Sequence, residues 1–263
     1  MGKIVTFSFD DGRSNNYEAA EILSSYGYQG TFHITTGYVD GTWKSPTGWK
    51  SAGTPLSIEQ VISLRNQGHE ISLHGDKHLT EKEDFSVAYS KLEQWGVIKK
   101  CEHIGFSLPN SQVDKFVLST FIQSLKDSPL LYIRCGRHPN STSFYKKIFY
   151  AIYRVSGNAL AYQIFNSQNY NDLNVINRFS LYSVVVKASD TPGNLIKYTA
   201  NLPDNSYVIF MMHSILNNTD SLYGSDSWYW DKKNLIQICN MIQNDDNISV
   251  KTIAQTIRLM SED

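Results

Sequence analysis

The chain has 263 residues, 41% of them hydrophobic, with 24 Lys and Arg against 25 Asp and Glu. That length suits one large domain such as an α/β barrel, and the near balance of charge leaves no footprint for nucleic acid or an anionic membrane. No apolar run approaches a membrane span and no leader-like basic and apolar stretch opens the chain, so a soluble, cytoplasmic protein is expected.

Strand-like runs are predicted at 3–9, 30–35, 70–74, 103–107, 131–135, 182–187 and 207–213, alternating with helical patterns. The first run carries Phe7 and Phe9 in alternation with Thr6 and Ser8, as in a half-buried strand. It then stops at Asp10-Asp11-Gly12. Adjacent carboxylates repel unless a cation or a proton divides their roles, and Gly12 allows an immediate turn. A solvated turn explains the same residues, so the pair needs support from elsewhere.

A first helix over 15–26 presents Ala19, Ile22, Leu23 and Tyr26 and stops at Gly27. Ser57 and Gln60 have the form of a capping box, and residues 80–83 repeat that start signal. The third run ends in His74-Gly75-Asp76-Lys77-His78, which places both imidazoles on one side if the segment is helical. Val117, Leu118, Phe121, Ile122 and Leu125 form an amphipathic face, as do Leu235, Ile238, Cys239 and Ile242. The stretch 136–178 breaks the rhythm and is expected to be an insertion over the mouth or side of the fold. The run before His213 is apolar throughout, so a titratable residue at its end is hard to explain as packing.

Seven strand–helix units predict an α/β fold: a distorted (β/α) barrel of about seven parallel strands in a single domain over 1–263, with a doubly wound sheet as the competitor. In either arrangement Asp10, Asp11, His74, His78 and His213 converge at the carboxyl ends of the strands. Two His and one carboxylate leave a position open for water, as in a catalytic zinc site, although manganese, cobalt or nickel also suit such donors. Cys101, Cys135 and Cys239 lack metal or redox spacing and are expected to be reduced thiols. His33, His69, His103 and His138 are expected in structural or surface roles. A lone glycine at Gly105-Phe106-Ser107 argues against a serine nucleophile elbow.

Ser8 to Gly12 and His74 to His78, with Gly68-His69-Glu70-Ile71 and Gly30-Thr31-Phe32, resemble the polysaccharide deacetylases of the NodB-homology type, carbohydrate esterase family four. The resemblance implies that Asp11, His74 and His78 hold the metal, that Asp10 is the base and His213 the acid, and that the reaction removes an N-acetyl group from an amino sugar. A saccharide, polysaccharide or lipid-linked precursor in surface-polysaccharide biosynthesis is the expected partner. The third motif departs from the usual pattern, with Ser107 where an arginine orients the base; Arg134 or Arg178 is the candidate replacement. Phe106-Ser107-Leu108-Pro109-Asn110 is closer to the branch acting on β-1,6-linked glucosamine polymers. On that likeness Asn110 offers a backbone N–H to the oxyanion, with Pro109 expected at the substrate; Trp228 and Trp230, close behind His213, suit either the faces of a sugar ring or a packed lid. Gly75 replaces a Ser or Thr, removing one hydrogen bond from the metal's surroundings. Asp190 is the candidate aspartate for tuning His213. Ser107 and Gly75 also leave room for a sugar-binding relative without catalysis, and a hydrolase of a non-sugar C–N bond is the third reading.

Overall fold

The computed structural model describes residues 2–111 and 114–260. Strands β1 (Lys3–Phe9), β2 (Thr31–Ile34), β3 (Glu70–Leu73), β4 (Ile104–Ser107) and β5 (Leu130–Arg134) are followed by β6 (Asn171–Asp172), β7 (Val184–Val185), β8 (Ser206–Met212), β9 (Ser214–Leu216), β10 (Tyr229–Asp231) and β11 (Ile248–Val250). The helices are α1 (Asn15–Ser25), α2 (Thr36–Val39), α3 (Ile58–Asn66), α4 (Lys82–Gln94), α5 (Lys115–Ser124), α6 (Phe144–Ser156), α7 (Ala159–Asn166), α8 (Pro192–Ala200), α9 (Lys232–Gln243) and α10 (Ile253–Leu259).

The main sheet runs β5-β4-β3-β2-β1-β8, parallel throughout, with β7 parallel to β8 and β11 parallel to the first half of β1. An isolated parallel bridge joins Arg134 of β5 to Leu181, just before β7. The sheet therefore curls until its two edges nearly meet: the expected distorted barrel, and not the layered doubly wound sheet. All seven residues of β1 are buried, because this strand has neighbours on both sides and side chains packed on both faces.

The two faces of β1 are buried against different things. Val5, Phe7 and Phe9 belong to the apolar cluster between sheet and helices, where Phe9 stacks on Phe32 at 5.0 Å. Thr6 and Ser8 do not face solvent, as their alternation suggests; they turn into the barrel. There the Thr6 and Tyr207 hydroxyls lie 2.9 Å apart, and Ser8 Oγ lies 3.0 Å from His33 Nε2. Thr31 and Tyr132 donate to the two carboxylate oxygens of Glu70, both at 2.8 Å. In the lumen these polar groups are hydrogen-bonded to one another, which is how buried polar groups are tolerated, beside a second apolar cluster that includes Ile4, Tyr207 and Ile209. Burial pushes the Glu70 carboxyl up, against hydrogen bonds from Ala254 and Tyr132 that pull it down.

Several local expectations change. The capping box at Ser57 and Gln60 is present, but α4 starts at Lys82 after Glu81, with no side-chain cap. On α5 Phe121 is buried whereas Val117 is exposed. The stretch 136–178 is largely helical, carrying α6 and α7. Residues 74–78 are not helical at all: Gly75 and His78 both take left-handed backbone angles, φ +82 and +59.

Candidate active site

Five strands deliver polar side chains to one end of the barrel. Asp10 and Asp11 follow β1, His74 follows β3, Ser107 ends β4, Arg134 ends β5 and His213 follows β8. A pocket of about 180 Å³ is lined there by Asp10, Asp11, Arg13, Trp49, His74, His78, Asn110, Ser111, His213 and Trp228. The pair of carboxylates therefore belongs to a buried site and not to a solvated turn.

Asp11, His74 and His78 present ligand atoms within 4.8 Å of one another. Both imidazole Nε2 atoms point at one oxygen, Asp11 Oδ1, from 3.5 and 3.9 Å. The other oxygen, Oδ2, is taken by Arg13, whose Nε and Nη2 approach to 2.9 and 2.8 Å. Arg13 is itself fixed by Nη1, which donates to Ser214 Oγ at 2.8 Å. Burial raises the Asp11 carboxyl, but Arg13 and the nearby imidazoles outweigh it and hold the group at about 2. Burial brings His74 and His78 down to about 4, so both are neutral near pH 7. One ionised carboxylate oxygen and two neutral imidazole nitrogens, converging on a common point, fit a divalent metal.

The loop that carries the histidines is held from outside. The Asp84 carboxylate accepts backbone N–H bonds from Asp76, Lys77 and Leu79 at 3.0, 2.8 and 3.1 Å. A Cβ on Gly75 would lie 2.2 Å from Asp84 Oδ2, so glycine is required by this clamp as well as by its φ of +82. Support for His74 comes instead from Ser107: its carbonyl oxygen is 3.0 Å and its hydroxyl 2.5 Å from His74 Nδ1. A proton on Nδ1 donated to that carbonyl leaves Nε2 as the lone-pair donor. Gly75→Ser is expected to cost roughly 2–4 kcal/mol by displacing Asp84 and straining φ, seen as a melting temperature lower by about 5 °C or more. An unchanged melting curve would refute the clamp.

Ser107 thus serves His74 and not Asp10. The partner of Asp10 is Arg134 on the adjacent strand: its Nη2 donates to Asp10 Oδ1 at 2.7 Å and Oδ2 at 2.6 Å. Both residues are almost wholly buried. Burial raises the Asp10 carboxyl above its usual range, against the pull of Arg134 and His213. Arg178 makes no such contact; its guanidinium lies over Phe179 at 4.7 Å.

His213 lines the same pocket with Trp228 edge-on at 4.9 Å. Burial pulls its pKa to about 4, and its Nδ1 is buried without a hydrogen-bond partner among the described residues. Asp190 does not serve it: that carboxylate accepts from the Lys187 backbone N–H at 2.8 Å, and burial raises it to about 6. Trp230 is also displaced from its expected place. It is 1% exposed, in the core, with Nε1 donating to Asp190 O at 2.7 Å. Pro109 is buried beside the pocket without lining it, whereas Asn110 lines it with φ +61. Sequence reasoning missed Arg13, Trp49 and Asp84. Only Arg13 left a signal, a cation two residues beyond a carboxylate pair. Trp49 walls the pocket edge-on to His78 at 4.8 Å.

With this geometry in view, the likenesses to known proteins are informative. Residues 1–104 match the family model described as polysaccharide deacetylase. No curated protein sequence matches the chain. Among solved structures, a family 4 acetyl xylan esterase from Clostridium thermocellum with a cobalt ion is 13% identical, with 97% of this chain and 91% of that one covered and a TM-score of 0.51. The Bc1960 peptidoglycan N-acetylglucosamine deacetylase is 12% identical over 97% and 87%, TM-score 0.51. A mutant of BA3943, a CE4 family pseudoenzyme with restored activity, is 11% identical over 97% and 68%, TM-score 0.52. At these identities the likeness is one of fold: all share the curled (β/α) barrel.

Proposed function

We propose that the protein is a single-domain, metal-dependent hydrolase that removes an N-acetyl group from an amino sugar, with zinc the favoured ion. The observation that carries this reading is the adjacency of two differently held carboxylates. Arg13 keeps Asp11 ionised beside two neutral imidazoles, while Arg134 aligns Asp10 in the same pocket. A divalent ion bound by Asp11, His74 and His78 would polarise an acetyl carbonyl and acidify water. Asp10, with its raised affinity for protons, accepts the proton that water loses. Asn110, which lines the pocket, would offer its backbone N–H to the developing oxyanion. His213, neutral through burial, would hand on to the departing amine the proton that Asp10 takes from water, because an amide nitrogen leaves poorly as an anion.

A volume of about 180 Å³ suits an acetamido group and not a whole oligosaccharide. The sugar ring would then lie across the rim, where Trp49 and Trp228 offer aromatic faces. The relocation of the base's arginine to Arg134 weakens the reading of a catalytically impaired sugar-binding relative, which drew on its absence at Ser107. Surface-polysaccharide biosynthesis is the setting that this substrate class favours.

Chelation is expected to abolish acetate release from N-acetylglucosamine oligomers, and Zn²⁺ to restore it. Independently of activity, saturating Zn²⁺ should stabilise the protein by about 2–3 kcal/mol at a hundredfold excess over its Kd, and His78→Ala should remove that thermal shift. No acetate release from any N-acetylated sugar with the site loaded would overturn the proposal.

A further inference from the structure

The charge of the chain is balanced overall but not locally. Residues 136–178 hold five Lys and Arg against one Asp, leaving 19 basic against 24 acidic residues elsewhere. Helix α6 lies within this stretch and has Lys146, Lys147 and Arg154 with no acidic residue at all.

On one side α6 packs normally: Tyr153 is buried, and Phe149 and Tyr150 lie against the apolar core. The opposite side is apolar and open. Phe144 is 82% and Val155 92% exposed, and Tyr145, Ile148 and Ile152 are also exposed. At 100° per residue these five side chains fill an arc of about 100°, with Lys147 and Arg154 along one edge. Leu160, on the following α7, extends the exposed apolar surface. So large an unpartnered apolar face marks an interaction site.

We propose that this face of α6 seats the protein on an anionic lipid surface, with the catalytic pocket working on saccharides carried there. The second half rests on the deacetylase reading; the first does not. A second copy of the chain fits the face poorly, because a two-fold contact would oppose Lys147 and Arg154 with nothing acidic on α6 to pair them. Anionic headgroups supply that missing charge, and an apolar arc rimmed by Lys and Arg is the pattern of a helix lying in the interface. No helix among the described residues is long and apolar enough to cross a membrane, so α6 would lie on the surface.

A cavity of about 650 Å³, lined by Asp114, Lys115, Arg137, Pro139 and Tyr182, shares Ser111 with the catalytic pocket. Arg137 stands over the rings of Tyr150 on α6 and Phe165 on α7, at 5.9 and 5.0 Å. Its Nε is buried with no acceptor among the described residues. That cation is placed for a phosphate or carboxylate between a sugar in the pocket and a carrier at the bilayer.

The test is co-sedimentation of the full chain with vesicles of phosphatidylcholine alone and of equal parts phosphatidylcholine and phosphatidylglycerol. Binding is expected to the mixed vesicles only and to weaken with salt. Phe144→Ser/Ile148→Ser/Val155→Ser should abolish it, and Lys147→Gln/Arg154→Gln should weaken it about thirtyfold. Because these side chains are exposed, melting temperature and acetate release from soluble oligomers should match wild type. Wild-type protein left in the supernatant overturns the proposal, as does a triple variant that still sediments. So does a wild-type dimer that the triple variant dissociates without any vesicle binding. Loss of the acetate assay alone would sink the deacetylase reading and leave the vesicle result standing.

Discussion

Asp10→Asn should lower kcat roughly a thousandfold, the size expected when a positioned general base is removed, while leaving metal affinity nearly intact. The second clause distinguishes this variant from Asp11→Ala. Asp10 and Asp11 are neighbours in sequence, but their partners differ: Asp10 is bound by Arg134, and Asp11 by Arg13 beside the imidazoles. Asparagine can still accept one hydrogen bond from Arg134, so the pocket keeps its shape and loses its proton acceptor. Acetate release with equal metal loading checks the result. Equal rates for Asp10→Asn and wild type would remove Asp10 from the chemistry. If instead Asp11→Ala kept metal-dependent thermal stabilisation, the metal assignment would fail.

The strands and the residues at their ends were legible because strand periodicity is local. The runs at 3–9, 70–74 and 207–213 lie within a residue of β1, β3 and β8, and Asp10, Asp11, His74, His78 and His213 line one pocket. What the sequence could not show depends on the sheet's closure. Alternation along β1 reads the same whether Thr6 and Ser8 meet water or a polar lumen, and only the curl of the sheet decides for the lumen. The partner of Asp10 follows from strand order: β4 and β5 are adjacent, so an arginine at the end of either reaches the same carboxylate. Trp230 and Asp190 were misplaced because proximity in sequence to His213, or an acidic side chain alone, says nothing of direction. Balanced overall charge likewise hid the basic stretch that contains α6, since a sum over 263 residues erases a segregation within 43.

Replacing Arg134 should show how far the protein depends on this relocated cation. Arg134→Met leaves the Asp10 carboxyl buried with its ion pair broken, a change that costs about 3–5 kcal/mol, and Asp10 is expected to relieve the cost by taking up a proton. The sign for activity follows. Arg134 lowers the Asp10 pKa against the raising effect of burial, so its loss raises that pKa further. The base must be ionised to work, and the acid limb of kcat/KM therefore moves to higher pH in Arg134→Met. Arg134→Lys keeps the charge but not the contact of one nitrogen with both oxygens, and its limb should stay near wild type while kcat falls. A merely structural arginine would change stability without moving the limb. Asp10→Asn/Arg134→Met removes both charges together and should be more stable than the sum of the single changes allows, by about 2 kcal/mol or more in a double-mutant cycle. Additive losses in that cycle, together with a stationary pH profile, would show that Asp10 is held by something other than Arg134.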